Sequence, residues 1–178
     1  MIVDEIFQPI YGKYCWNAQK GYGSFLTFQF GEPHLEVREK DRVRNGVKEH
    51  IRSVDVYGSW HLWIYMCDWA IIAQNQIIAT QSSKAKIIHR AMYRLDGQIL
   101  VQMEIHADCS TIFTFELGDR LETKPNRDEY GIESEQWHLY EHPGNVFTLR
   151  ADGKFFCGPG TTKSGEEVWV PLTHQPYG

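Results

Sequence analysis

The sequence predicts a predominantly antiparallel β protein, all-β or β-rich α+β, formed as a barrel or sandwich from an internal duplication with one connecting helix. Three observations predict it. Apolar residues alternate with polar ones, or come in short runs bounded by Gly, Pro, Asn and Asp. One stretch alone switches to helical spacing, and the segments on either side of it resemble each other in order.

Taken along the chain, "SFLTFQF" (24–30) puts Ser24, Leu26, Phe28 and Phe30 on one face and Phe25, Thr27 and Gln29 on the other. A turn at Gly31-Glu32 then leads into "PHLEVRE", predicting a hairpin. Asn45-Gly46, a pair that tolerates the positive φ angles of a type I′ turn, predicts a second, charged hairpin. "WHLWIYMC", "WAIIAQ" and "QIIATQ" read as three more strands. The break comes at "SSKAKIIHRAMYRLDG", where Ile87, Ile88, Ala91, Met92 and Leu95 recur at helical spacing between a Ser cap and Gly97. Its other face carries Lys84, Lys86, Arg90 and Arg94, read as solvated. Beyond it "QILVQMEIHA", "STIFTFELG", "RLETKP", "QWHLYEH", "NVFTLR" and "KFFCG" are again strand-like, with a turn at Asp152-Gly153. Residues 126–135 read as a polar loop, and within the tail only "VWVPL" is suited to dock as an edge.

The 178 residues suit a single domain, 1–178, able to bury a core without metal or disulfides. Its expected parts are a first repeat at about 15–80, a connecting helix at 82–95, a second repeat at about 98–158 and a loose C-terminal tail at 159–178. "SFLTFQFG" (24–31) aligns with "TIFTFELG" (111–118), "WHLW" (60–63) with "WHLY" (137–140), and the hairpin "WAIIAQNQIIAT" with "VFTLRADGKFFC". On this alignment Trp60 and Trp137 are equivalent core anchors. The opposite faces of the two Trp-His-Leu strands gather His61, Trp63, Tyr65, His138 and Tyr140, joined by Thr27, Gln29, Thr114 and Glu116. The candidate ligand-binding residues are therefore His61, Trp63, Tyr65, Glu116, His138 and Tyr140, since small-molecule pockets combine apolar walls with few polar groups.

A net charge of −5 and a pI near 5.9 argue against nucleic-acid binding, which rests on cationic side chains. The acidic start and the lack of an 18-residue apolar run predict neither a signal peptide nor a membrane helix, and hence a cytoplasmic protein. Cys15, Cys67, Cys109 and Cys157 form no CxxC and read as buried free thiols. Cys67 with Asp68 and His61, or His106 with Asp108 and Cys109, contain the residue types of a thiolate site, but neither lies in a nucleophile motif. His138 and His142 share a strand face about 13 Å apart, too far for one metal. "GPGTTKSG" has Thr162 where a phosphate loop needs Gly. No catalytic residue, metal site or cofactor is therefore expected.

"GYGSFLTFQFGEPHL", "EQWHLY" and "TLRADGKF" resemble segments of a widespread set of uncharacterised β-rich bacterial proteins with no assigned activity, so the resemblance transfers no site residue. By analogy of type, some small acidic bacterial proteins serve as immunity partners of toxins. The sequence thus predicts a non-enzymatic protein-interaction module, with a homodimer as one form of partnership. A small-ligand-binding β barrel using the polar-aromatic face is the alternative, and a hydrolase on that face stands behind both.

Overall fold

The computed structural model describes residues 2–172, with side chains from residue 5 onward; residues 173–178 of the expected tail lie outside the described residues. Two antiparallel sheets pack face to face. The larger contains β1 (Cys15–Lys20), β2 (Leu26–Arg44), β3 (Val47–Ile64), β9 (Glu135–Glu141), β10 (Asn145–Arg150), β11 (Lys154–Pro159) and β12 (Val170–Pro171), in that spatial order. The smaller runs β5 (Gln76–Thr80), β4 (Asp68–Ala73), β8 (Arg120–Lys124), β7 (Thr111–Phe115), β6 (Leu100–Ile105). The architecture is a sandwich and not a closed barrel: among the described residues, β5 and β12 remain unpaired edges. No described helix is long and apolar enough to cross a membrane.

Three helices accompany the sheets, two more than expected. The connecting helix α2 covers Ala85–Leu95 and buries Ile88, Ala91, Met92 and Leu95, while Ile87 is exposed. No side chain caps its start; Ser83 Oγ instead accepts from the Thr80 N–H at 3.0 Å. Arg94 leaves the solvated row to pair with the fully buried Asp119, donating from Nε at 2.6 Å and from Nη2 at 3.0 Å. α1 (Ile2–Phe7) is too short to show periodicity, yet it delivers Phe7, fully buried and edge-on to Trp137 at 5.7 Å. α3 (Arg127–Tyr130) lies inside the expected polar loop, where Asn126 accepts from the Glu129 N–H at 3.0 Å.

Gly31-Glu32 is a bulge and not a turn. The pairing of β2 with β3 slips by one residue between Phe30 and Pro33, and the strand runs on to a turn at Asn45 and Gly46, with φ 52° and 75°. Gly31 takes φ 76°, a value that suits glycine at a bulge. Across from it, Gly58 approaches the Phe30 backbone so closely that a Cβ would collide with it. The result is one long β2–β3 hairpin whose outer part leaves the sandwich.

The two sheets are built alike. In the larger, β1-β2-β3 is completed by β9-β10; in the smaller, β6-β7-β8 is completed by β4-β5. Each half of the chain thus gives three strands to one sheet and a pair to the other, and the second half adds β11 and β12 at the edge of the larger sheet. The sheets meet at a bridge between Tyr14 and Ile99, flanked by reciprocal hydrogen bonds. Gly12 N–H to Leu100 O (3.1 Å) mirrors Gly97 N–H to Cys15 O (2.7 Å), and Cys15 N–H to Gln98 O (2.7 Å) mirrors Leu100 N–H to Lys13 O (3.3 Å).

This arrangement corrects the expected equivalence of the Trp-His-Leu runs. They are adjacent antiparallel neighbours, with Trp63 opposite His138 and Trp60 opposite Glu141. By strand order, β3 corresponds to β8 and β9 to β4. The counterpart of Trp137 is Trp69: Trp137 pairs across to Ile64 and Trp69 to Thr123. Both indoles are buried, and each donates to the start of the second strand of its own half, Trp69 Nε1 to Ser24 O (2.6 Å) and Trp137 Nε1 to Thr111 Oγ1 (3.1 Å). "TIFTF" does form the counterpart strand of "SFLTF", shifted two residues from the sequence alignment, because Cys15 faces Phe30 as Leu100 faces Phe115.

Between the sheets, Leu26, Phe28, Phe30, Leu62 and Ile64 meet Ile71, Phe113, Phe115 and Leu121, all fully buried or nearly so. Each such side chain contributes about 1.5–3 kcal/mol by leaving water. Trp69→Phe and Trp137→Phe keep a ring but strand an acceptor, partly buried at Ser24 and buried at Thr111, so each is expected to cost about 1–3 kcal/mol. Urea unfolding of the two variants, followed by far-UV circular dichroism, checks this; a cost at one position only would show that the two anchors are not equivalent.

Candidate functional site

On the larger sheet, the face turned away from the core is built by alternation. Because Leu62 and Ile64 point inward, His61, Trp63 and Tyr65 point outward; Leu139 inward likewise sends His138 and Tyr140 outward. The antiparallel pairing of β3 with β9 then sets Trp63 beside His138 and His61 beside Tyr140. The rings form one continuous cluster. Trp63 and Tyr65 lie 5.7 and 5.3 Å from His138, and Tyr140 lies 5.8 Å from both His61 and His138. Phe25 closes one end against Tyr65 (4.6 Å), and Tyr57 extends the cluster beyond His61 (5.4 Å).

Above these rings is a cleft of about 700 Å³, walled by Tyr57, His61, Trp63 and Tyr140 and rimmed by His34, Glu36, Arg38 and the 141–145 turn. Its rim is held locally. Arg38 donates to Glu36 Oε2 at 3.1 Å and lies over the Tyr57 ring, and the His142 N–H donates to Ser59 O at 2.9 Å. Gln29 does not reach the cleft; it is buried, and its Oε1 accepts from the Gly58 N–H at the bulge.

Burial sets the charge of the two central histidines. His61 is pushed down to about 4, chiefly by loss of water, with Glu36 opposing and Arg38 adding to the shift. His138 is also lowered to about 4 by burial, with His61 reinforcing it. Both are neutral near pH 7. His138 Nδ1 lies 3.0 Å from Thr148 Oγ1, so its ring is fixed below the cleft floor, while His61 Nε2 is buried without a partner.

The candidates His61, Trp63, Tyr65, His138 and Tyr140 are therefore contiguous, and three of them line the cleft. Glu116 is not among them. It follows β7 in the other sheet, is exposed, and accepts from the Ile99 N–H at 3.1 Å; Thr114 is in that sheet too. Their expected place rested on folding the second half exactly parallel to the first, whereas the sheets exchange strands. Neither cysteine grouping makes a nucleophile: Cys67 points into the core, donates to Gln136 O at 3.4 Å and has its thiol pushed up by burial, while Asp68 accepts from Asn126. Cys109 is also raised by burial, and Cys157 is exposed and not buried as expected.

Sequence reasoning missed the rim. His34, Glu36 and His142, none of them a candidate on the sequence, bring their ligand atoms within 4.8 Å of one another. His34-x-Glu36 on one strand face is the local signal; His142 joins only through the β2-β3-β9 register.

Comparison with protein-family models, with curated proteins and with solved structures finds no match for this chain.

The lowered histidines have a signed consequence. Above pH 6.5 they are neutral whether the chain is folded or not; between about 6.5 and 4 the unfolded chain takes up protons that the fold refuses. Stability is then lost as pH falls through that window, each histidine contributing at most about 1.4 kcal/mol for every pH step of one. Urea midpoints measured at intervals from pH 7 to pH 4.5 are expected to decline, and less steeply in His138→Gln. Equal slopes for both proteins would contradict the assignment.

Proposed function

We propose that the chain is a small-ligand-binding protein whose site is the cleft on the outer face of the larger sheet. One observation carries this reading: the fold itself does not require the rings. At the corresponding positions of the smaller sheet, the pair Trp63–His138 is replaced by Glu122–Ala70, and His61–Tyr140 by Arg120–Ile72, in the same register. A scaffold that folds with those residues on one sheet has no structural need of an aromatic-histidine floor on the other. The floor suits a planar aromatic or heteroaromatic molecule. Tyr57, Trp63 and Tyr140 offer faces to stack on, and the neutral His61 offers a hydrogen-bonding edge that costs no buried charge. A cytoplasmic setting is part of the same proposal, in keeping with the acidic composition.

A thermal-shift screen against planar aromatic acids and heterocycles tests this. A true ligand present at about a hundredfold above its Kd should stabilise the protein by about 2.7 kcal/mol. The shift should vanish in Trp63→Ala and Tyr140→Ala and persist in Tyr22→Ala, whose ring stands out in solvent. A library with no reproducible shift, or a shift indifferent to Trp63, would reject the cleft as the site.

A second reading, recognition of another protein or a second copy, is favoured by the projecting hairpin. Leu35 opposite Val56 and Val37 opposite Val54 expose four apolar side chains on one face. If that face is an interface between copies, Val37→Lys with Val54→Glu should abolish concentration-dependent association in sedimentation. A wild type that stays monomeric at high concentration would reject self-association.

A further inference from the structure

We propose that His34, Glu36 and His142 form a binding site for one divalent first-row transition metal of the zinc class at the rim of the cleft. The three come from two separated parts of the chain. His34 and Glu36 are two residues apart on β2, past the bulge that sets their face outward, and His142 follows β9. Their ligand atoms lie within 4.8 Å of one another, against about 3.4 Å between tetrahedral ligands at about 2.1 Å from a zinc ion. Closing that difference requires the side chains to move together, and His142 is exposed.

The imidazoles of His34 and His142 stack with centroids 3.7 Å apart and planes 26° from parallel, so joint ligation requires the exposed His142 ring to turn out of the stack. One feature distinguishes this group from an accidental cluster. His34 Nε2 is buried and has no hydrogen-bond partner, since the nearest carboxylate oxygen, Glu36 Oε1, is 3.6 Å away. A buried nitrogen left unpaired is costly, and a cation between His34, Glu36 and His142 would satisfy it. The supporting shell is also present. Arg38 holds Glu36 Oε2, which leaves Oε1 turned toward His34.

Two imidazoles and one carboxylate select borderline metals over calcium or magnesium, which prefer all-oxygen sites. Three protein ligands leave at least one coordination position open, and the cleft lies beside it. The metal site stands apart from the proposed aromatic ligand, because it is tested with the ion alone.

The test is titration of chelator-treated full-length protein with Zn²⁺ by calorimetry and with Co²⁺ by visible absorption. One ion per chain is expected, with cobalt bands of a four- or five-coordinate site. His142→Ala, at an exposed position that should not disturb folding, and Glu36→Gln should each weaken binding at least about tenfold. His89→Ala, on the exposed face of α2, should bind as wild type does. Absence of saturable binding in the wild type, or binding undiminished in a His34→Ala/His142→Ala double variant that keeps the wild-type circular dichroism spectrum, overturns the proposal. Metal binding in the wild type alongside a thermal-shift screen of the wild type that finds no ligand would reject the aromatic-ligand reading alone.

Discussion

Neither half of this chain can bury its strands without the other. The first half lays β1-β2-β3 in one sheet and sends β4-β5 across to the other, and the second half does the reverse. The seams are therefore β3 on β9 and β4 on β8, each joining the two halves. Trp69 and Trp137 begin the crossing strands, and their indoles reach back across the interior to the strand openings at Ser24 and Thr111. The corner at Tyr14 and Ile99 ties the first strands of the two halves together through the same hydrogen bonds written in both directions. Removing either half would leave each sheet with one exposed apolar face and a broken ladder.

Given that interior, the outer face of the larger sheet is the part of the molecule whose side chains are not dictated by packing between the sheets. It nonetheless carries rings in van der Waals reach of one another, two histidines kept neutral by burial, and an arginine poised over a tyrosine. The bulge at Gly31 is the local device that makes this possible. By slipping the register one residue, it turns His34, Glu36 and Arg38 to the same side as Tyr57 and His61.

Local physics is legible in the sequence. Alternation locates nearly every strand, Asn45-Gly46 marks its turn, and the spacing of Ile88, Ala91, Met92 and Leu95 shows the buried side of α2. What involves partners far along the chain is not. Alternation tells which residues share a face but not which sheet the strand joins, so it gives Thr114 and Glu116 the wrong neighbours and matches Trp60 to Trp137 in place of Trp69. A glycine followed by a polar residue reads the same at a turn and at a bulge, and only the cross-strand register of Phe30 and Pro33 separates them. Helix α1, six residues long, has no period to detect. His142 meets His34 only after three strands have paired, so no spacing rule could connect them.

Strand exchange also bears on how the protein is made. When the ribosome has finished β3, the edge it needs is still several dozen residues from synthesis, because β9 begins only at Glu135. The emerging first half exposes Phe28, Phe30, Leu62 and Ile64 on a sheet with no lid, and β4-β5 has no sheet to join. Such non-local pairing folds slowly and presents sticky surface to the cell in the interval. The two seams can therefore close only after the second half has been made, since β8 and β9 both lie in it.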